Sequence, residues 1–320
     1  MKLNESFTFV IVMGLVVALA GGVGAAKLLR GLVQIIPLQD LVIVGNTGDD
    51  LELYGLHISP DLDIIMYTLA GIVDETKGWG VSGDTFNCLD MLGKLGLETW
   101  FKLGDRDLAI HIMRTKMLKE GMTLSRATAE LSKMLGVEAK LVPMSDNPVR
   151  TKVLSGVHRL EFQEYFVKRE TKDIVTGVLF EGVEKAKPAP TIIKAIRDAD
   201  CVVLCPSNPI LSISPILSIS PIRNELQKTD AYVVGVSPIV GGKALKGPAD
   251  RIMASMGLEA SAYGVAKFYG DLLDHFIIDK VDEHQKRRIE ELDVKVTVAD
   301  TIMGNLEDSI RLAKVVMETK

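Results

Sequence analysis

The chain has 320 residues, 47% of them hydrophobic and 25% charged, with a formal net charge of −5. That is the composition of a soluble globular protein long enough for a large buried core, and its acidic balance argues against a nucleic-acid binder, which would carry a basic field. Cys88, Cys201 and Cys205 form no CxxC pair and support neither a disulfide framework nor a zinc site, so a cytoplasmic, reducing location is expected.

Residues 7–20 are strongly apolar behind Lys2 and look like a short signal peptide. The run is shorter than the roughly 20 residues a membrane span needs. It also leads straight into Gly21-Gly22-Val23-Gly24, where cleavage would separate a strand from its loop. Residues 15–20 therefore read as a buried first strand and Met13 as a start. Residues 1–12 read as an extension, and no membrane partner is expected.

Runs at 15–20, 41–44, 202–204 and 232–236 are apolar throughout rather than alternating, as in parallel strands covered on both faces. Apolar positions 25, 28, 29, 32 and 36 follow helical spacing, and Pro37 ends that helix. Helical patterns continue at 62–73, 84–95, 105–119 and 123–135. Short alternating segments over 139–181, with Ser155-Gly156 as a turn, predict a small antiparallel insert. Doubly wound strands resume near 201, and an amphipathic helix covers 308–319. A hexapeptide, Ile-Leu-Ser-Ile-Ser-Pro, occurs in tandem at 210–215 and 216–221, and no function is attached to it. The expected fold is a Rossmann-like, doubly wound α/β domain over 13–320. Its nucleotide-binding core is about 13–65 and 195–305, with an inserted helical and antiparallel segment at about 66–190.

The chemistry gathers at strand ends, where open α/β sheets bind ligands. Gly21-Gly22-Val23-Gly24, with Lys27 one turn on, lies between a strand and a helix, where backbone N–H groups and the helix dipole favour phosphate. It is neither a GxGxxG fingerprint with a ribose-binding acid nor a Walker loop. Four aspartates follow within the next loop: Asp49, Asp50, Asp61 and Asp63. Hard oxygens of this kind suit Mg²⁺, which one or two carboxylates and substrate phosphates hold together. Asp49, Asp50 and Asp63 are the metal candidates. Asp63 faces the cleft, and Asp61 is expected to cap the next helix. Gly78-Trp79-Gly80 with Asp84-Thr85-Phe86 offers an aromatic surface for a planar ring. Asp105 is expected to cap a helix, leaving Lys102 free to meet an acidic or phenolate group. Pro206-Ser207-Asn208-Pro209 and Ser237–Lys243 follow later strands, so Asn208 could read a base or ribose while Lys243 or Lys246 meets phosphate. His57, near the acids, reads as structural.

Taken together, Gly21–Gly24, Asn46–Asp50, Ile58–Asp63, Leu103–Asp107, Pro143–Asp146, Pro206–Pro209 and Val236–Ile239 resemble the 2-phospho-L-lactate transferase family (CofD and FbiA) of coenzyme F420 biosynthesis. The matches run in order from about residue 15 to 305. The resemblance implies a Mg²⁺-dependent transferase. It would move a phospholactyl group, or in some relatives a phosphoenolpyruvyl group, from a guanosine diphosphate-linked donor to a deazaflavin. That acceptor is 7,8-didemethyl-8-hydroxy-5-deazariboflavin (Fo), and the products are F420-0 and GMP. It further implies that Asp63 and Lys102, with Trp79 and Thr85, contact Fo, Asp63 lying by the ribityl hydroxyl as base or ligand. Asp49 or Asp50 would hold Mg²⁺ on the donor diphosphate. The glycine loop, Lys27, Ser207, Asn208, Ser237 and Lys243 would cradle the donor, and a homodimer is expected. Two other readings remain: a non-catalytic regulator that binds a nucleotide sugar, and a nicotinamide oxidoreductase. The second needs an acid closing the second strand, where Gly45-Asn46-Thr47-Gly48 stands instead.

Overall fold

The computed structural model describes residues 14–319; the extension at 1–12 and the start at Met13 lie outside the described residues. β1 (Val16–Ala20) is buried at every position and runs through Gly21 directly into α1 (Gly22–Leu32). The helix is left at Val33, four residues ahead of Pro37. β2 (Leu41–Gly45) pairs with β1 in parallel, Val16 opposite Leu41. The all-apolar strands feed two cores by alternation. Val17, Leu19, Val42 and Val44 join one buried cluster, while Val16, Ala18, Leu41 and Ile43 join the other. Period-2 geometry with both faces covered requires apolar residues at every position.

A short hairpin that the sequence spacing does not anticipate follows, β3 (Leu51–Leu53) and β4 (Leu56–Ile58). Then come α2 (Pro60–Leu69), α3 (Asn87–Lys94), α4 (Asp105–Lys119) and α5 (Leu124–Met134). β5 (Lys140–Pro143) departs from expectation. Instead of joining the antiparallel insert it pairs in parallel with β2 and ends the main sheet. Its Leu141-Val142 pair is too short for periodicity to reveal which sheet it joins. The insert proper is β6 (Arg150–Ser155), β7 (His158–Glu161) and β8 (Gly177–Glu181), in the order β7-β6-β8.

β9 (Cys201–Leu204) and β10 (Tyr232–Val236) resume the parallel sheet. A small hairpin, β11 (Ile239–Val240) and β12 (Lys243–Ala244), precedes β13 (His275–Asp279) and β14 (Lys295–Ala299). The seven-stranded order is β14-β13-β10-β9-β1-β2-β5, with every pairing parallel. This is the doubly wound Rossmann order extended by one strand, and it reverses between β1 and β9. The C-terminal helix, Leu306–Glu318, packs on α1. No helix among the described residues is long and apolar enough to cross a membrane.

Candidate active site

Because β1 and β9 are neighbours at the reversal, the loops that leave them share one crevice. Gly21 is extended, and its N–H donates to Ser207 Oγ at 3.2 Å, tying the two loops together. Gly22 has φ +73, a conformation that costs side-chain-bearing residues energy. A Cβ on Gly24 would lie 2.2 Å from the Pro206 carbonyl oxygen. These glycines with Val23 bring the α1 N-terminus to the crevice, the Gly22 N–H itself being held by Asp61. Asn208 Oδ1 accepts from the N–H groups of Ile210 and Leu211 at 3.0 and 3.1 Å. Its Nδ2 is buried and has no partner among the described residues, so both N–H donors of the amide are unused. Ser237 is engaged in its own turn, accepting from the Ile239 N–H at 3.2 Å and donating to the Ile239 carbonyl at 2.8 Å.

The lysines divide. Lys27 Nζ donates to the Met303 carbonyl at 2.7 Å, and burial, then the charges of Lys246 and Arg30, lower its pKa. Lys243 is exposed on β12. Lys246, further along that loop, lies beside Gly78 and is close enough to Lys27 for its charge to act there. A Cβ on Gly78 would lie 3.5 Å from Lys246 Nζ and 3.8 Å from Val23 Cγ1. The Gly78-Trp79-Gly80 turn therefore adjoins the phosphate loop. Trp79 is 41% exposed, with the Lys77 ammonium 5.7 Å from its ring centroid.

All four aspartates of the 45–63 stretch are buried. Asp61, expected as a cap of α2, does not cap that helix: Ser59 holds the N-cap position of α2, and its side chain makes no capping bond. The Asp61 carboxylate instead accepts from Asn46 Nδ2 at 2.9 Å and from the Gly22 N–H of the phosphate loop. Burial pushes it from 3.8 up to about 6; the charge of Asp50 adds, and Asn46 and Gly22 oppose. Burial, then the charge of Asp61, pushes Asp49 well above the usual carboxylate range. His57 Nε2 and Ser59 Oγ each lie 2.9 Å from Asp50 Oδ2. Asp49 Oδ1 and Asp50 Oδ1 are buried without a partner among the described residues. Buried, mutually repelling carboxyl groups with unpartnered oxygens suit a cation. Among the described residues no three His, Cys, Asp or Glu side chains form a ready metal cage. Mg²⁺ takes one or two carboxylates together with phosphate oxygens and water, so this donor set fits it.

Asp63 stands apart from those three. Arg114, 1% exposed on α4, grips both of its oxygens: Nη1 donates to Oδ2 at 3.1 Å and Nη2 donates to Oδ1. His111 Nδ1 lies 3.7 Å from Asp63, and its Nε2 lies 3.1 Å from Asp107 Oδ1. The Tyr67 hydroxyl donates to the same Asp107 oxygen at 2.6 Å. Lys102 is exposed, and the flanking Phe101 and Leu103 pack with Leu51, Leu56 and Ile58 of the β3–β4 hairpin. Thr85 Oγ1 donates to Asp105 at 2.5 Å. Asp105 does not cap its own helix. It accepts from the Asn87 and Cys88 N–H groups at 3.1 and 2.9 Å and so caps α3. Asp84 in turn accepts from the Arg106 and Asp107 N–H groups at 2.8 and 3.1 Å and caps α4. This exchange of caps holds Asp84 and Thr85 in a turn, which is why α3 starts at Asn87 rather than at 84.

Sequence reasoning passed over Asn46, Asp61 and Arg114. Asn46 carried a signal, an amide directly after a buried strand. Arg114 carried another: Asp107, His111, Arg114 and Thr115 repeat at helical spacing, and α4 buries all four. The first hexapeptide copy also touches the site, since the Leu211 carbonyl accepts from Asn46 Nδ2 at 3.3 Å.

Comparison with known proteins places this geometry. A family model described as 2-phospho-L-lactate transferase CofD matches residues 16–315. A phosphoenolpyruvate transferase of Streptomyces coelicolor is 41% identical, covering 93% of this chain and 96% of its own length. A 2-phospho-L-lactate transferase of Methanosarcina acetivorans is 40% identical, covering 94% and 97%. In fold, the chain is similar to the protein BH3568 of Bacillus halodurans, with a TM-score of 0.61 and 16% identity over 95% of this chain and 99% of that one.

Proposed function

Since this chain belongs to the CofD family of transferases in coenzyme F420 biosynthesis, we propose that it transfers a phospholactyl group from lactyl-2-diphospho-5′-guanosine to the ribityl hydroxyl of Fo, giving F420-0 and GMP. One observation carries the reading. The glycine loop, the unpartnered oxygens of Asp49 and Asp50, and the Trp79 turn converge on the crevice where the strand order reverses. That arrangement would suit a diphosphate at the α1 N-terminus, a cation beside it and a planar ring next door.

Asp49 and Asp50 would hold Mg²⁺, with Asp61 beside them. When bound, Mg²⁺ would neutralise charge on the oxygens of the transferring phosphoryl group. Gly21–Gly24 and the Asn208 amide hold the donor, and Lys246 adds positive charge to its diphosphate. Trp79 and Lys102 seat the deazaflavin, the lysine facing the ring's phenolate side. Asp63, fixed by Arg114, keeps unshared lone pairs that accept a hydrogen bond from the attacking hydroxyl. As the hydroxyl oxygen bonds to the phosphorus that bears lactate, its proton passes to the Asp63 carboxylate. The bond to the bridging oxygen breaks, and GMP departs with that electron pair.

A second reading keeps the same chemistry with a phosphoenolpyruvyl donor. Relatives named phosphoenolpyruvate transferases, at 39–41% identity, stand level with those named 2-phospho-L-lactate transferases, at 38–40%. Mass spectrometry of reactions containing Mg²⁺, Fo and each donor in turn separates the two. GMP with the lactyl phosphodiester is the expected result. Product from the enolpyruvyl donor alone replaces the donor assignment, and no product from either sinks the transferase reading.

A further inference from the structure

The inward face of α4 is polar where a packed helix would ordinarily be apolar. Asp107, His111, Arg114 and Thr115 are all buried, and each reaches a neighbouring element that carries part of the site. Asp107 accepts from Tyr67 on α2. Arg114 holds both oxygens of Asp63, two residues beyond Asp61 in the first turn of α2, and its Nη1 also lies 3.3 Å from His111 Nδ1. Thr115 Oγ1 accepts the backbone N–H of His57 at 2.8 Å, and the ring of that histidine in turn lies against Asp50. At its other end, α4 begins in the exchanged caps that hold Thr85 and the stretch after Lys102. One rigid helix thus spans the acceptor surface and the carboxylates.

A buried ion pair of this kind is seldom the cheapest way to stabilise a fold; apolar residues of similar volume often serve as well or better. Its distinctive property is direction, because the planar guanidinium fork fixes a carboxylate in both position and plane. We propose that Arg114 is a positioning residue. It sets where Asp63 and the first turn of α2 stand relative to Asp50 and the acceptor surface, without touching either substrate. This inference rests on the transferase reading for its kinetic consequence, but its structural consequence does not.

The test uses the full chain. Arg114→Lys keeps the charge but can no longer grip both oxygens. A displacement of about 1 Å at a reacting centre costs on the order of 10²-fold in rate. A folded Arg114→Lys should therefore lose about 10²-fold in kcat, while the acceptor KM and the calorimetric affinity for GDP with Mg²⁺ stay near wild type. Its crystal structure should show the Asp63 carboxylate displaced from Asp50. Unchanged kcat, or a raised acceptor KM at unchanged kcat, overturns the proposal; the latter would make Arg114 a substrate contact. Asp63 found undisplaced overturns it whether or not any donor turns over. If Arg114→Lys does not fold, Thr115→Val and Tyr67→Phe loosen the same strut from its two ends. Both should lower kcat at unchanged GDP affinity, and full activity in both overturns the idea. A wild-type protein inactive with both donors defeats the transferase reading instead, and the displacement of Asp63 then decides this one.

Discussion

Along the wall of the cleft formed by the loops after β1 and β9, the groups are backbone, small residues and one spare amide. Along the wall formed by α2, α4 and the β3–β4 hairpin they are buried charges: Asp49, Asp50, Asp61 and Asp63, set by Asn46, His57 and Arg114. The first wall is close-packed backbone, a Cβ on Gly24 having no room beside the Pro206 carbonyl, and it ends in a helix N-terminus of the kind that favours phosphate. The second is built of buried carboxyl groups, and the unpartnered oxygens of Asp49 and Asp50 make a setting that suits a cation. A backbone wall is sensitive to added bulk, whereas a charged wall is sensitive to the loss of single atoms.

Asp50→Asn is the sharpest test of that contrast. It keeps the volume and can keep the contact with Ser59, yet removes a charge from the proposed cation site. Turnover should fall about 10²–10³-fold, the scale on which single preorganised electrostatic groups act, with an unchanged thermal midpoint. A near-normal rate at saturating Mg²⁺ would take Asp50 out of the chemistry.

The backbone wall answers to Gly22→Val. The substitution forces a β-branched residue into a left-handed conformation, φ +73 in the native chain, at a strain of about 1–2 kcal/mol. Calorimetric GDP affinity should weaken about tenfold, the equivalent of that strain. On the charged wall only Asp61 adjoins the new side chain, with Oδ1 3.9 Å from the added Cβ, so residual turnover at saturating donor should approach wild type. Intact GDP affinity would mean that the glycine loop serves packing alone.

The two walls also differ in how far the chain announces them. A continuous apolar run, a glycine cluster and a helical spacing are local, so β1, β2, β9, β10 and the glycine loop can be read from a few adjacent residues. Asp49 and Asp50 were legible for the same reason. Pairings such as Asp63 with Arg114, or Asn46 with Asp61, join residues 51 and 15 positions apart. No local rule gives them. β5 was misplaced because sheet membership is decided by its partner β2, and Asp61 because its pull toward the Gly22 N–H outweighs capping its own helix. Burial of four polar groups on one face of α4 could have been suspected from spacing, but only contact with α2 and His57 shows what they hold.

The exchanged caps offer the smallest effect and a test of how the acceptor side is tied to the charged wall. Asp84 and Asp105 each cap the other's helix, and both lie near the surface. Loss of a capping side chain typically costs about 1 kcal/mol. Asp84→Ala should lower stability in chemical denaturation by about that amount. Because it frees the start of α4, beside Lys102 and Thr85, it should also raise the acceptor KM while the GDP affinity is unchanged. Asp105→Ala, which frees α3 and releases Thr85, should act on the same parameter. If both variants lose the stability of a cap but leave the acceptor KM as it was, the turn from Asp84 to Asp107 is a structural brace, and the acceptor lies against Trp79 and the phosphate loop alone.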